Sequence, residues 1–99
     1  MNLEFFKPAA KEEFFDAIAW YERESPGLGK EIADEVIQLF EHAQSQPEVL
    51  RKVRGRARKI HLKRFKDYSI YFAIKDDAFS VISVFHGARN PAELRRRLK

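Results

Sequence analysis

The side chains able to do chemistry near neutral pH fall in the second half of the chain. His61 and His86 titrate close to neutrality, so either could serve as a general acid or base. Lys59, Lys63 and Arg64 lie on or just after the stretch that carries His61, and Arg89 follows the stretch that carries His86. Cations placed in this way could grip a phosphate. His42 sits near the end of a helical segment, where the helix dipole favours an imidazolium, and is assigned no function. A metal site built from His61, His86 and an Asp would be weak, and no metal or cofactor is expected. Four scattered Gly cannot make a phosphate-cradling loop. The absence of Cys removes disulfides, thiolate metal sites and Cys nucleophiles.

Charge is strongly polarised along the chain. Met1 to Leu50 carries 4 Lys/Arg against 11 Asp/Glu, a balance of −7. Arg51 to Lys99 carries 15 against 4, a balance of +11, so the halves sum to the net +4. Arg51 to Lys66 holds nine basic residues and no acid, and Arg95, Arg96, Arg97 and Lys99 extend the excess at the tail. Concentrated positive charge attracts anionic partners, either nucleic acid or an acidic protein segment. Part of it is expected to be neutralised by the acidic half of the same chain.

The 99 residues, 44% apolar and 34% charged, suit one domain, 1–99, with one core. No apolar run approaches the roughly 20 residues of a membrane span, and the first residues show no secretory signal, so a cytoplasmic protein is expected. Leu3 to Phe6 reads as a short strand, with Pro8 opening a helix. Ala10, Phe14, Ala17, Ile18 and Tyr21 form one apolar stripe of that helix, which runs to about Arg23. Glu12, Glu13 and Asp16 read as its solvated face, and Trp20 and Tyr21 as packing residues. Ser25-Pro26-Gly27 breaks the helix. A second helix spans about Leu28 to Ala43 with a wide stripe that includes Ile32, Val36, Ile37 and Phe40. Val49, Leu50 and Val53 read as a turn that packs down, with Gly55 as a hinge. The period then changes to two. Ile60 and Leu62 alternate with Lys59, His61 and Lys63; Lys66-Asp67 turns the chain; Tyr68 to Ile74 alternates again. Lys75-Asp76-Asp77 makes a further turn, and Phe79 to His86 reads as a central strand covered on both faces. Asn90-Pro91 opens a short basic helix, Ala92 to Leu98. The fold class is α+β, in the order β-α-α-β-β-β, with a helical hairpin on a small curled antiparallel sheet and a short C-terminal helix.

Four features together resemble the RelE/ParE superfamily of toxins from type II toxin–antitoxin modules. They are the opening strand with Pro8 and a helix holding Ala17 and Trp20-Tyr21-Glu22; the turn Ser25-Pro26-Gly27-Leu28-Gly29; the run from Arg58-Lys59-Ile60-His61-Leu62 to Phe65-Lys66-Asp67-Tyr68-Ser69-Ile70-Tyr71-Phe72; and the ending Val81-Ile82-Ser83-Val84-Phe85-His86-Gly87-Ala88-Arg89-Asn90-Pro91. The resemblance covers nearly the whole chain. It implies a toxin of a plasmid-stabilisation module, held inactive in a toxin–antitoxin hetero-oligomer by an antitoxin whose acidic C-terminal segment folds onto it. Ile32, Val36, Ile37 and Phe40 are then the expected antitoxin contacts.

The superfamily divides between ribosome-dependent cleavage of messenger RNA and inhibition of DNA gyrase. Cleavage needs a base for the 2′-OH, cations for the phosphorane and an acid for the leaving oxygen. Lys59, His61, His86 and Arg89 are the candidates. The chain departs from the ribonuclease branch at three places. Ser69 stands after Tyr68 where that branch has Arg; Gly87 stands where it has another, with Arg89 two residues late; and no aromatic residue follows Phe85 to match its C-terminal Tyr. His61 also stands where a second Lys is usual. These departures favour the ParE-like branch, with Lys59, Lys63, Arg64, Arg89, Arg95, Arg96 and Arg97 as the target-binding surface. A plain nucleic-acid-binding module is a third reading, although no aromatic stacking platform is evident on the sheet.

Overall fold

The computed structural model of the protein describes residues 3–55, 57–75 and 78–98. Arg56 of the basic run, Asp76 and Asp77 of the expected turn, and Lys99 of the tail lie outside the described residues. Helices α1 (Pro8–Glu24) and α2 (Leu28–Ser45) come first. A 3-10 turn (Pro47–Val49) leads into strands β1 (Arg51–Arg54), β2 (Ala57–His61), β3 (Tyr68–Lys75) and β4 (Ala78–His86), and the short helix α3 (Ala92–Arg97) follows. The fold is α+β. The four strands form one antiparallel sheet in the order β1-β2-β3-β4.

Helix α1 starts at Pro8, whose missing N–H would have no partner in a first turn anyway. It buries Ala10, Phe14 and Ala17, three residues of the expected stripe. The turn to α2 depends on two glycines for different reasons. Gly27 has φ of 90°, a left-handed conformation that side chains disfavour. Gly29 lies against α1 so closely that a Cβ there would stand 2.6 Å from the Ile18 carbonyl oxygen. The Glu22 carboxylate accepts the N–H groups of Gly27 at 3.0 Å and Gly29 at 3.1 Å. An acid at this point satisfies free amides and faces the positive end of the α2 dipole.

Helix α2 drives Ile32, Val36, Leu39, Phe40 and Ala43 into the core beneath it. There they meet Ile70, Phe72, Val81 and Val84 from the sheet, with the Phe40 and Phe72 rings 5.8 Å apart. Full burial of each such ring stabilises the fold by about 2 kcal/mol. The other face of the sheet carries a second, smaller cluster of Ala57, Tyr71, Ile82 and Phe85, roofed by Leu94 of α3. β4 is thus covered on both faces, which accounts for its nearly continuous apolar sequence.

Three local expectations are refined. The opening segment pairs with β4 only through one parallel bridge, Phe5 with Val81, because Lys7-Pro8 turns it into the helix at once. β4 accordingly lies at the end of the strand order rather than at its centre. Arg51–Arg54 is a strand rather than part of a turn; all four residues are exposed, so no apolar alternation marks it.

Candidate binding surface

The register of the sheet decides which polar groups can meet. His61 pairs with Ser69, and Ser69 with Phe85, so their side chains share the outer face. The Ser69 hydroxyl lies 2.9 Å from His61 Nδ1. Tyr68 pairs with His86, one residue out of phase, so these two share the inner face, where their rings meet edge-on at 4.9 Å. His61 and His86 therefore lie on opposite faces of the sheet. The Ala88 N–H donates to His86 Nδ1 at 3.0 Å, which leaves Nε2 as the protonated nitrogen of the neutral ring and ties the imidazole to its own turn. A histidine acid–base pair across one phosphate is not assembled.

Lys59 is half-buried on the outer face, with its ammonium 5.5 Å from the centre of the Tyr71 ring. Tyr71 meets Phe85 edge-on at 6.3 Å, and the Arg89 guanidinium covers Phe85 at 5.4 Å. Lys59 and Arg89 thus bracket an aromatic pair with cation–π contacts. Both rings are buried, so their faces are not open to a stacking base.

Several expected target-binding cations already have carboxylate partners. Arg64 pairs with Glu31 of α2, and Glu35 of α2 accepts the backbone N–H groups of Lys63 and Arg64. The acidic face of α2 thereby holds the β2–β3 turn. Arg89 and Arg97 both pair with Glu13 of α1, at 2.7 and 2.9 Å. Arg97 is no free tail cation: it also pairs with Glu93 and donates to the Ile82 carbonyl oxygen at 3.1 Å. Desolvation acts to lower its pKa, but the hydrogen bonds to Glu13 and Glu93 outweigh burial and hold it above its ordinary value. Among the described residues, Lys59, Lys63, Arg95 and Arg96 have no carboxylate partner, and Lys63, Arg95 and Arg96 are exposed.

Glu13 is the residue the sequence reading missed. It was expected on a solvated face, yet its side chain is only 9% exposed. It accepts from the Ser83 hydroxyl at 2.9 Å and the Val84 N–H at 3.2 Å, besides its two arginines. One carboxylate therefore joins α1, β4, the turn after it and α3. A signal existed: Glu13 falls three residues after Ala10 and four before Ala17, inside the buried stripe. An acid placed there requires a cation to meet it.

The expected antitoxin contacts on α2 are also revised. Ile32, Val36 and Phe40 are each 1% exposed, so the core already occupies their surfaces. Ile37 alone of the four is partly open. The stripe is wide because α2 lies on both α1 and the sheet.

The chain is thus a helical hairpin packed on a four-stranded antiparallel sheet, with most of its cations in the second half. A model of the family described as ParE toxin of type II toxin–antitoxin system, parDE, matches residues 5–91. The chain belongs to that family, and a type II toxin has a cognate antitoxin as its partner. A search of curated proteins returned no match. Among the described residues, no helix is long and apolar enough to cross a membrane.

Proposed function

We propose that this toxin, when free in the cytoplasm, arrests growth by binding and poisoning DNA gyrase, and that its antitoxin prevents this. The observation that carries the reading over RNA cleavage is the placement of His61 and His86 on opposite faces of the sheet. A ribonuclease must bring an acid and a base to one phosphate. Ser69 in place of the ribonuclease branch's arginine, and the engagement of Arg89 by Glu13, point the same way. Binding needs no such acid–base pair, and Lys59, Lys63, Arg95 and Arg96, which have no carboxylate partner among the described residues, are the cations left to serve it.

The test is induction without antitoxin, together with a supercoiling assay on purified gyrase. Inhibited supercoiling, filamentation and intact transcripts are expected. Cut transcripts with gyrase unaffected would overturn the proposal in favour of a ribosome-dependent nuclease, and Lys59→Ala or Arg89→Ala should then abolish cleavage.

A further inference from the structure

One face of α1 carries Asp16, Trp20 and Arg23, spaced four and then three residues apart, so the three side chains stand in a row. All three are exposed. Neither Asp16 nor Arg23 has an ionic partner among the described residues. Trp20 meets Tyr21 edge-on at 5.0 Å, which leaves the residue 48% exposed. The row lines a cleft of about 450 Å³, together with Tyr68 of β3 and Arg89 of the turn after β4. Arg89 is held there by Glu13 at 2.7 Å through one nitrogen, and its other N–H groups remain to donate. Burial, and then Tyr21, raise the Tyr68 phenol above its ordinary range, while the charges of Arg89 and Asp16 act on it in opposite senses. Acid and guanidinium therefore share the end of the cleft that Tyr68 closes.

We propose that this cleft binds a guanine mononucleotide, with the base on the face of Trp20, its N1–H and N2 amine on the Asp16 carboxylate and its phosphate on Arg23. The indole offers an open π-face to a planar ring, which fits any base. Asp16 narrows the choice. An ionised carboxylate is two acceptors side by side and takes two adjacent donors. Guanine has such a pair on its Watson–Crick edge; adenine and the pyrimidines do not. Arg89 adds a donor at the same end for O6, the acceptor next to N1. Asp16 and Arg23 lie seven residues apart, about 10 Å along the helix axis, a span comparable with that from the base edge of a nucleotide to its 5′ phosphate. The size of the cleft suits a small ligand. The site shares none of the four unpartnered cations assigned to gyrase, so it stands apart from that reading.

Trp20 is the one Trp of the chain, so its fluorescence reports stacking directly. Guanosine monophosphate titrated onto the full-length toxin should quench it, and calorimetry reads the same binding without the optical overlap of the base. Adenosine monophosphate should bind at least about tenfold more weakly, because its N1 sets an acceptor against the carboxylate. Asp16→Asn should reverse that order, since an amide offers one donor and one acceptor and matches adenine N1 and N6. Arg23→Ala should weaken guanosine monophosphate about tenfold and leave guanosine unchanged. Both positions are exposed, so neither substitution threatens the fold. Absence of quenching and of heat at millimolar guanosine monophosphate overturns the proposal. So does equal binding of the two nucleotides, or an unaltered preference in Asp16→Asn. A guanine-containing oligonucleotide that binds far more tightly than the mononucleotide would also overturn it, and would make the cleft a reader of single strands.

Discussion

At the scale of single residues, Glu13 carries the largest expected effect. Its buried carboxylate faces Arg97, whose side chain is 13% exposed, and the more exposed Arg89. Removing one member of a buried pair strands the other and costs more than the pair itself contributes. Glu13→Ala should therefore destabilise the fold by about 3 kcal/mol in urea unfolding, whereas Glu12→Ala, on the exposed face, should stay within about 0.5 kcal/mol. Equal effects of the two substitutions would show that the hub is not a stabilising contact. The sequence reading put both neighbours on the solvated face, because an acid among acids reads as solvated until its place on the buried stripe is checked. His86 presents the opposite case. Its chemistry was legible from its type, but the face it occupies follows from a one-residue phase difference between β2 and β4, which no count of residues reveals.

At the scale of elements, the two helices and the apolar strands were legible because burial imposes a period on them. β1 was not, since a strand exposed at every position carries no such period. The helix–helix turn carries a sharper prediction. An alanine at position 29 gains about 1 kcal/mol of helix propensity. Its Cβ would nevertheless meet the Ile18 carbonyl at 2.6 Å and force the helices apart. The clash should win, so Gly29→Ala is expected to cost about 1–2 kcal/mol net and to lower Tm by about 5–10 °C. An unchanged or raised Tm would mean that the hairpin can open without loss. The contact between α1 and β3 gives a pH signature. Burial, and then the neighbouring Tyr21, raise the pKa of the Tyr68 phenol above its ordinary 10.0; burial and Asp67 do the same for Tyr21. The folded state thus keeps a phenolic proton that the unfolded chain releases. That stability is fully present below pH 10.0 and is lost as pH rises through the higher folded value. The urea midpoint should begin to fall near pH 10.0, and Tyr68→Phe should flatten the fall. The same slope in both proteins would assign the fall to other groups.

At the scale of the whole molecule, the chain is polarised in sequence but partly reconciled in space. α2 draws in Arg64, and α1 draws in Arg89 and Arg97. The cations left without partners therefore mark the surface more sharply than the raw run of charge does. Three consecutive arginines in α3 make the distinction testable, because Arg95 and Arg96 are exposed while Arg97 is locked against Glu13 and the edge of β4. If the toxin acts through a cationic surface, Arg95→Ala with Arg96→Ala should leave Tm nearly unchanged yet weaken gyrase binding by about tenfold, with a shallower dependence on salt. Arg97→Ala should do the reverse. It should lower stability by about 2 kcal/mol, because Glu13 loses one of its two arginines, while the protein that remains folded binds at close to full strength. Calorimetry and surface binding on the same three proteins separate the two roles. If Arg97→Ala lost binding at unchanged Tm, the partition between bracing and recognition drawn from the ion pairs would be wrong, and the tail would have to act as one continuous cationic patch.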